Sequence, residues 1–251
     1  MLRFLTFHLK MSSIASRNWT YFTATYSNTN YKLPPNVEQF IMKNTEVSDN
    51  HLTPQIRLRL FTPRCRFWYE RPELWPSSDP YWAIYWPGGQ AIARYILDYP
   101  DVVKCKSVLD IGSGCGASAI AAQMSGASQV VANDIDPVAE IAIRMNCLLN
   151  NVKPFPVFTS NIIGTHLRIW DLILLGDMFY DEELSESLQT WLKKYISVHE
   201  TLVLIGDPGR PHFISHSIFK QLQKVAEYEL PETTREQNYG LTRSCVWKYQ
   251  P

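Results

Sequence analysis

A short glycine-rich stretch, Ser107–Ala121 (SVLDIGSGCGASAIA), limits the folds that are open to this chain. It begins with apolar residues that suit a buried parallel strand, passes through three alternating glycines and ends in small residues that favour a helix. From Lys106 onward, strand and helix patterns alternate, which is typical of a parallel sheet with helices on both faces. We therefore expect an α/β fold with a ligand at this turn, because open sheets bind ligands outside the carboxyl ends of their strands.

The pattern predicts three regions: a leader over 1–37, an aromatic and proline-rich lid or accessory layer over 38–100, and the main domain over 101–251. Within the main domain we predict parallel strands at SVLDI, QVVAN, FPVFTSN, WDLILLGD and TLVLIGD. VAEYEL and TRSCVWKYQ are expected to form an antiparallel terminal hairpin. In the accessory layer, QIRLRLFTP alternates as a half-buried strand, and a turn at Pro87–Gly89 is expected to precede a helix.

The first 37 residues contain four basic residues and no Asp or Glu, since Glu38 is the first acid. A lack of acids together with Arg and Ser is typical of a mitochondrial transit peptide, so we expect import into the matrix; a merely disordered tail is the alternative. The formal net charge of zero gives no field that would attract nucleic acid. Five cysteines, odd in number and without a C-x-x-C pair, predict free thiols and no metal site.

The uncharged run Ile111–Asn133 is long enough to cross a bilayer, but its Gly, Ser, Gln and Asn content argues against membrane insertion. We expect a monomer. Cys115, inside the glycine turn, is interpreted as a small residue in a crowded turn and not as a nucleophile.

The glycines alone fit two cofactors. Gly112 and Gly114 with Ala117 satisfy the dinucleotide pattern G-x-G-x-x-G/A, whereas with Gly116 they make the tighter G-x-G-x-G. Asp134, at the end of the second strand, could accept the ribose hydroxyls of either cofactor. Asp110 decides between the two, because a carboxylate in a buried strand needs a polar partner. A cofactor with an ammonium and a sulfonium supplies that partner, and a pyrophosphate would repel it.

From about Val108 to its end, the chain resembles the class I, seven-strand methyltransferases, through VLDIGSGCG and VVANDIDP. The resemblance implies a Rossmann-like seven-stranded sheet, mostly parallel, with an antiparallel terminal hairpin. It also implies the cofactor S-adenosylmethionine. The residues expected to contact that cofactor are Trp86, Asp110, Gly112, Gly114, Gly116, Asp134, Ile135 and Asn161, the last of them near the adenine.

Asp177-x-x-Tyr180 resembles the acid-x-x-Tyr signature of the class I enzymes that methylate protein lysines. WPGGQA, DMFYDE and LIGDPGRP narrow the resemblance to the family that methylates the electron transfer flavoprotein β subunit in the mitochondrial matrix. That family implies this protein substrate. Asp177 is then expected to align the substrate lysine, with its role as proton acceptor left open, and Tyr180 to orient the amine or shape the pocket.

Three aromatic residues, Tyr85, Trp86 and Phe179, are candidates for the apolar walls of the lysine pocket. Asp207 and Arg210 lie on a Pro-Gly turn after the fifth strand, where Arg210 could contact an acidic patch of the partner. Three alternatives stay open at this point. They are a different acceptor (another protein lysine, a histidine or a small amine), an NAD-dependent oxidoreductase, and a module that binds its partner without modifying it.

Overall fold

The structure is a computed structural model that describes residues 36–69, 80–165, 168–238 and 240–250. The predicted leader therefore lies, except for its last two residues, outside the described residues. Within them, no helix is long and apolar enough to cross a bilayer.

Seven strands form one sheet, and their bounds are β3 Ser107–Ile111, β4 Gln129–Asn133, β5 Val157–Phe158, β6 Leu172–Gly176, β7 Leu202–Asp207, β8 Leu222–Glu229 and β9 Arg243–Tyr249. Their order across the sheet is β5-β4-β3-β6-β7-β9-β8. All neighbours are parallel except β9, which pairs antiparallel with both β7 and β8. The predicted fold class, including the antiparallel terminal hairpin, is confirmed.

The strand β5 is shorter than predicted. It pairs over two residues only, because the prolines of the KPFPVF segment lack the N–H groups that a longer ladder needs. β8 begins at Leu222, earlier than predicted, and the connection between β8 and β9 contains a short helix, Glu232–Gln237. β3 and β4 begin and end where the sequence predicts, since both are apolar runs bounded by glycine or acidic turns.

The helices are α1 Val37–Asn44, α2 Pro87–Asp98, α3 Ala117–Met124, α4 Pro137–Leu149, α5 Glu182–Ile196, α6 Pro211–Ser215 and α7 Glu232–Gln237. As predicted, Asp136 caps α4, accepting a hydrogen bond from Val138 N at 2.8 Å, and proline occupies the first helical position. Gly126, with φ of 87°, follows the end of α3.

The buried strands alternate between two apolar layers, as parallel strands covered on both faces must. Leu172, Leu174 and Leu204 pack in one cluster with α2 and α3. Ile173 and Leu175 point the other way, into a cluster with the apolar side of α5. The core thus lies on both faces of the sheet and fixes the carboxyl ends of β3, β4, β6 and β7 along one edge.

Helix α2, from the segment predicted as the accessory layer, is part of this sandwich. Ile92 and Ile96 are fully buried in the cluster that covers the sheet. The expected turn at Pro87–Gly89 is instead the first turn of α2 itself, with proline at a helical position where its missing N–H costs nothing.

The rest of the accessory layer contains a separate two-stranded sheet, β1 Glu46–Ser48 with β2 Leu58–Leu60. The predicted alternation holds, because Leu58 and Leu60 are buried while Arg57 is exposed. Asn146 of α4 accepts a hydrogen bond from Arg59 N at 2.9 Å, which attaches β2 to the main domain.

Candidate active site

The turn between β3 and α3 holds three glycines in the left-handed region. The φ angles of Gly112, Gly114 and Gly116 are 65°, 54° and 83°, values that residues with a Cβ adopt at a cost. Gly114 N donates to Asp134 Oδ2 at 2.8 Å, and Ser113 N donates to Asn133 O at 3.0 Å. These bonds join the turn to the carboxyl end of β4.

Asp110 lies in β3 and is 2% exposed. Ser113 Oγ donates to its Oδ2 at 2.5 Å, and the backbone N–H of Ala119 also contributes. The pKa of Asp110 is raised to about 7, chiefly by burial; both hydrogen bonds oppose the shift, and the nearby carboxylate of Asp134 makes a smaller upward contribution. The bonding partners of Asp110 are therefore a hydroxyl and an amide, neither of them a cation.

Asp134 follows β4 directly and accepts from Asp136 N at 2.9 Å as well as from Gly114. Burial raises its pKa, and the two backbone hydrogen bonds oppose that shift. The next residue, Ile135, is 36% exposed at the same edge. Asn161 lies in the loop after β5, exposed, with its Oδ1 accepting from Ile163 N at 3.0 Å.

These residues fit S-adenosylmethionine. Two carboxylates that repel each other stand beside a turn whose glycines allow close backbone approach. A Cβ built on Gly114 would make an ordinary van der Waals contact with Trp82 Cα at 3.9 Å, so the positive φ and not crowding favours glycine there. A cationic ligand with free hydroxyls complements this donor set, whereas a pyrophosphate would add negative charge to it.

Asp177 follows β6 and adopts φ of 59°, which is uncommon for a residue other than glycine. Its backbone N donates to Gly206 O at 2.9 Å, and its Oδ2 accepts from Gly89 N, in the first turn of α2, at 2.8 Å. Nη2 of Arg210 lies 2.6 Å from Asp177 Oδ1. The two side chains therefore form an ion pair, in which Asp177 Oδ1 is buried.

Arg210 also contacts Asp207, with 2.9 Å between Nη1 and Oδ2. Burial raises the pKa of Asp207 to about 6, while Arg210 opposes the shift and Asp177 adds to it. Burial alone would lower the pKa of Arg210, but Asp177 and Asp207 outweigh it and raise that pKa. The guanidinium thus faces two carboxylates of its own chain.

Tyr180 lies three residues beyond Asp177 and is 39% exposed. Burial around its hydroxyl is the largest cause of a raised pKa, followed by the charges of Asp134 and Asp181. Tyr180 therefore lies near enough to Asp134, a proposed cofactor residue, for that carboxylate to affect its pKa. A tyrosine with a raised pKa stays protonated and serves as a hydrogen-bond donor.

Two predicted wall residues are core in this structure. Phe179 is fully buried, with its ring centroid 5.7 Å from those of Phe213 and His216. Tyr85 is also buried, and its hydroxyl lies 3.0 Å from Thr53 Oγ1. Neither side chain lines an accessible pocket, because each occupies an apolar layer that the sequence pattern did not separate from the site.

Trp86 precedes α2, half-buried, and its Nε1 donates to Tyr81 O at 3.1 Å. The aromatic segment that it ends crosses the glycine turn, since Trp82 Cα is the nearest atom to a Cβ built on Gly114. Sequence reasoning missed Met178, whose Sδ would lie 2.1 Å from a Cβ on Gly112. The only signal in the sequence that could have identified Met178 is its position inside the Asp177-x-x-Tyr180 motif. Among the described residues, no three His, Cys, Asp or Glu side chains gather as a metal site.

Comparisons with known proteins address the same region. Residues 82–225 match a family model described as lysine methyltransferase. The electron transfer flavoprotein beta subunit lysine methyltransferase of Homo sapiens is 62% identical over 220 residues, which cover 87% of this chain and 84% of the human protein. The mouse protein of the same name is 61% identical over 220 residues, covering 87% of this chain and 86% of its own length.

Among solved structures, a putative methyltransferase complexed with SAH superposes with a TM-score of 0.52 at 11% identity. The superposition covers 77% of this chain and 53% of that one. At this identity the likeness concerns the fold alone, and the fold it supports is the one described above.

Proposed function

The chain belongs to the lysine methyltransferase family, and from that premise we propose that it methylates lysine side chains of the electron transfer flavoprotein β subunit in the mitochondrial matrix. The observation that carries the proposal is the 62% identity to a relative of that name, over a span that includes every candidate site residue. The acid-poor leader supports the matrix location.

The cofactor is S-adenosylmethionine, which supplies an electrophilic methyl group on a sulfonium. Asp110 and Asp134 offer the negative charge and the hydrogen-bond acceptors that it requires, and Gly112, Gly114 and Gly116 let the backbone approach it. Ile135, Asn161 and Trp86 complete the proposed cofactor contacts at the same edge of the sheet.

Asp177 is proposed to bind and align the substrate amine. Its carboxylate stands at the carboxyl end of β6, next to the strand that bears Asp110, and its geometry is fixed by Gly89 and Arg210. A fixed acceptor helps because transfer requires the nitrogen lone pair to point at the methyl carbon. Tyr180 is proposed to donate a hydrogen bond nearby, and Arg210, held by the buried Asp207, to form the other side of the entrance.

Labelling identifies the substrate directly. We expect that labelled S-adenosylmethionine, the purified enzyme and a mitochondrial matrix extract label the flavoprotein β subunit on lysine. The control reaction contains the variant Gly112→Arg. Even a Cβ at position 112 would lie 2.1 Å from Met178 Sδ, so the arginine side chain cannot fit without disrupting the turn. Label on another protein, on histidine or on a small amine would contradict the proposed substrate and leave the enzyme class standing.

A further inference from the structure

Arg210 lies in a loop whose backbone is held by hydrogen bonds and bounded by prolines. Asp207 Oδ1 accepts from Gly209 N at 2.7 Å and from Arg210 N at 2.9 Å, which fixes the turn after β7. Gly209 adopts φ of 86°, and Pro208 and Pro211 restrict the chain on either side. The guanidinium, 21% exposed, therefore reaches Asp177 from a rigid base.

The carboxylate of Asp177 is fixed from two sides. Its Oδ2 accepts from Gly89 N, at the N-terminus of α2, and its Oδ1 faces Arg210. Oδ1 is itself buried and lies 2.6 Å from Arg210 Nη2, and a carboxylate can accept more hydrogen bonds than the two that Gly89 and Arg210 supply. The arrangement provides an oriented acceptor whose negative charge is already matched by a cation.

The pairing of Asp177 with Arg210 affects the deprotonation of the substrate lysine, which must precede methyl transfer. A lysine has a pKa of about 10.4 in water, and its ammonium has no lone pair with which to attack. A carboxylate beside it would stabilise the ammonium, whereas a neighbouring cation favours the neutral amine. Asp177 alone would thus work against the reaction that it helps to align.

We propose that Arg210 is a positioning residue for methyl transfer, which orients Asp177 and offsets its charge so that the substrate lysine binds as the neutral amine. The inference rests on the proposed function, because it concerns the amine that Asp177 receives. Asp207 has the opposing effect, since its negative charge partly neutralises Arg210.

The test is the pH dependence of kcat, measured with whichever protein the wild-type enzyme methylates. Arg210→Gln leaves Asp177 unmatched, so the acidic limb of the profile moves to higher pH by about one unit or more. Asp207→Asn leaves Arg210 less neutralised, so the limb moves to lower pH. Arg144→Gln, which removes an arginine paired with Glu38 of α1, is the matched control and keeps the wild-type limb. Coinciding profiles for the wild type and both site variants would overturn the proposal.

Arg210→Lys separates positive charge from geometry and covers the case in which Arg210→Gln does not fold. We expect it to keep the wild-type limb while kcat falls at least about tenfold, because an ammonium cannot reproduce the planar guanidinium contacts. If the acidic limb of Arg210→Lys moved to higher pH as far as that of Arg210→Gln, the positive charge of residue 210 would not be what offsets Asp177.

A binding measurement gives a readout that does not depend on turnover. Calorimetry of substrate protein binding to the complex with S-adenosylhomocysteine, in buffers of different ionisation enthalpy, counts the protons released. We expect close to one proton for the wild type below the pKa of free lysine, and fewer for Arg210→Gln. Equal release by both would refute the proposal. A wild-type enzyme that methylates no form of the flavoprotein would instead refute the proposed substrate.

Discussion

At the scale of single residues, Asp110 is the buried carboxylate on which the proposed choice of cofactor depends. Among the residues that the structure describes, its bonding partners include no cation, and burial raises its pKa to about 7 from the ordinary 3.8. The folded protein therefore binds a proton here that the unfolded chain releases above its own lower pKa. This contribution to the free energy of unfolding is present at low pH and is lost as the pH rises through about 7.

Cofactor affinity should show the opposite pH dependence. A cationic ligand requires Asp110 ionised, so binding below its pKa of about 7 releases a proton, and affinity rises by up to about tenfold per pH unit before levelling off. Calorimetry of S-adenosylmethionine binding across this range checks the slope. Asp110→Asn should bind more weakly and without this slope; an unchanged slope in that variant would assign the titration to another group.

Tyr180 is expected to act as a donor and not as a base. Because burial and the charges of Asp134 and Asp181 raise its pKa, the hydroxyl stays protonated throughout the working range. Tyr180→Phe should lower kcat about two- to tenfold, the equivalent of one hydrogen bond, without moving either limb of the pH profile. Loss of a limb would show that Tyr180 titrates during the reaction.

At the scale of elements, the site depends on a backbone contact between α2 and two strands. A Cβ built on Gly88 would lie 2.1 Å from Gly206 O and 2.6 Å from Asp177 Oδ2. A Cβ on Gly176 would likewise lie 2.8 Å from Gly89 Cα. The glycines of WPGGQA are thus explained by close packing, which brings the N-terminus of α2 onto Asp177.

Adjacent glycines of α2 provide a matched pair of variants. Gly88→Ala should lower the free energy of unfolding by about 3 kcal/mol, the upper end of the usual cost of overpacking, because the contact is with backbone that cannot yield easily. Gly89→Ala meets nothing nearer than Tyr85 Cε2 at 3.8 Å and should be neutral or stabilising by up to about 1 kcal/mol. Denaturant unfolding of both variants checks this, and equal losses would contradict the contact.

The sequence predicted the elements better than the contacts between them. The bounds of β3 and β4 and the cap of α4 follow from local rules on apolar runs, glycine and Asp-Pro. The ion pair between Arg210 and Asp177 joins loops that follow two different strands, and no local pattern encodes such a contact. Local sequence also predicts a pocket position for Phe179, because its neighbours in sequence are candidate site residues. Its side chain is instead fully buried in the core.

At the scale of the whole molecule, Asn146 joins the accessory layer to the cofactor turn. Its buried side chain accepts from Arg59 N of β2 and donates to Cys115 O of the glycine turn at 2.9 Å. Asn146→Ala leaves both backbone groups unpaired and should cost at least about 2 kcal/mol. Leu148→Ala, on the same helix but 62% exposed, should change the free energy of unfolding by less than about 0.5 kcal/mol. Similar losses in both variants would show that the two layers are not coupled through Asn146.

The proposed reaction requires the protein to bind the cofactor at the glycine turn and to align the substrate lysine with Asp177. Mass spectrometry of the purified flavoprotein β subunit, incubated with S-adenosylmethionine and either wild type or Asp177→Ala, tests this most directly. The account predicts methylated lysines with the wild type and none with Asp177→Ala, while calorimetry finds the same cofactor affinity for both. An unmodified substrate with the wild type, or equal methylation by Asp177→Ala, would contradict it.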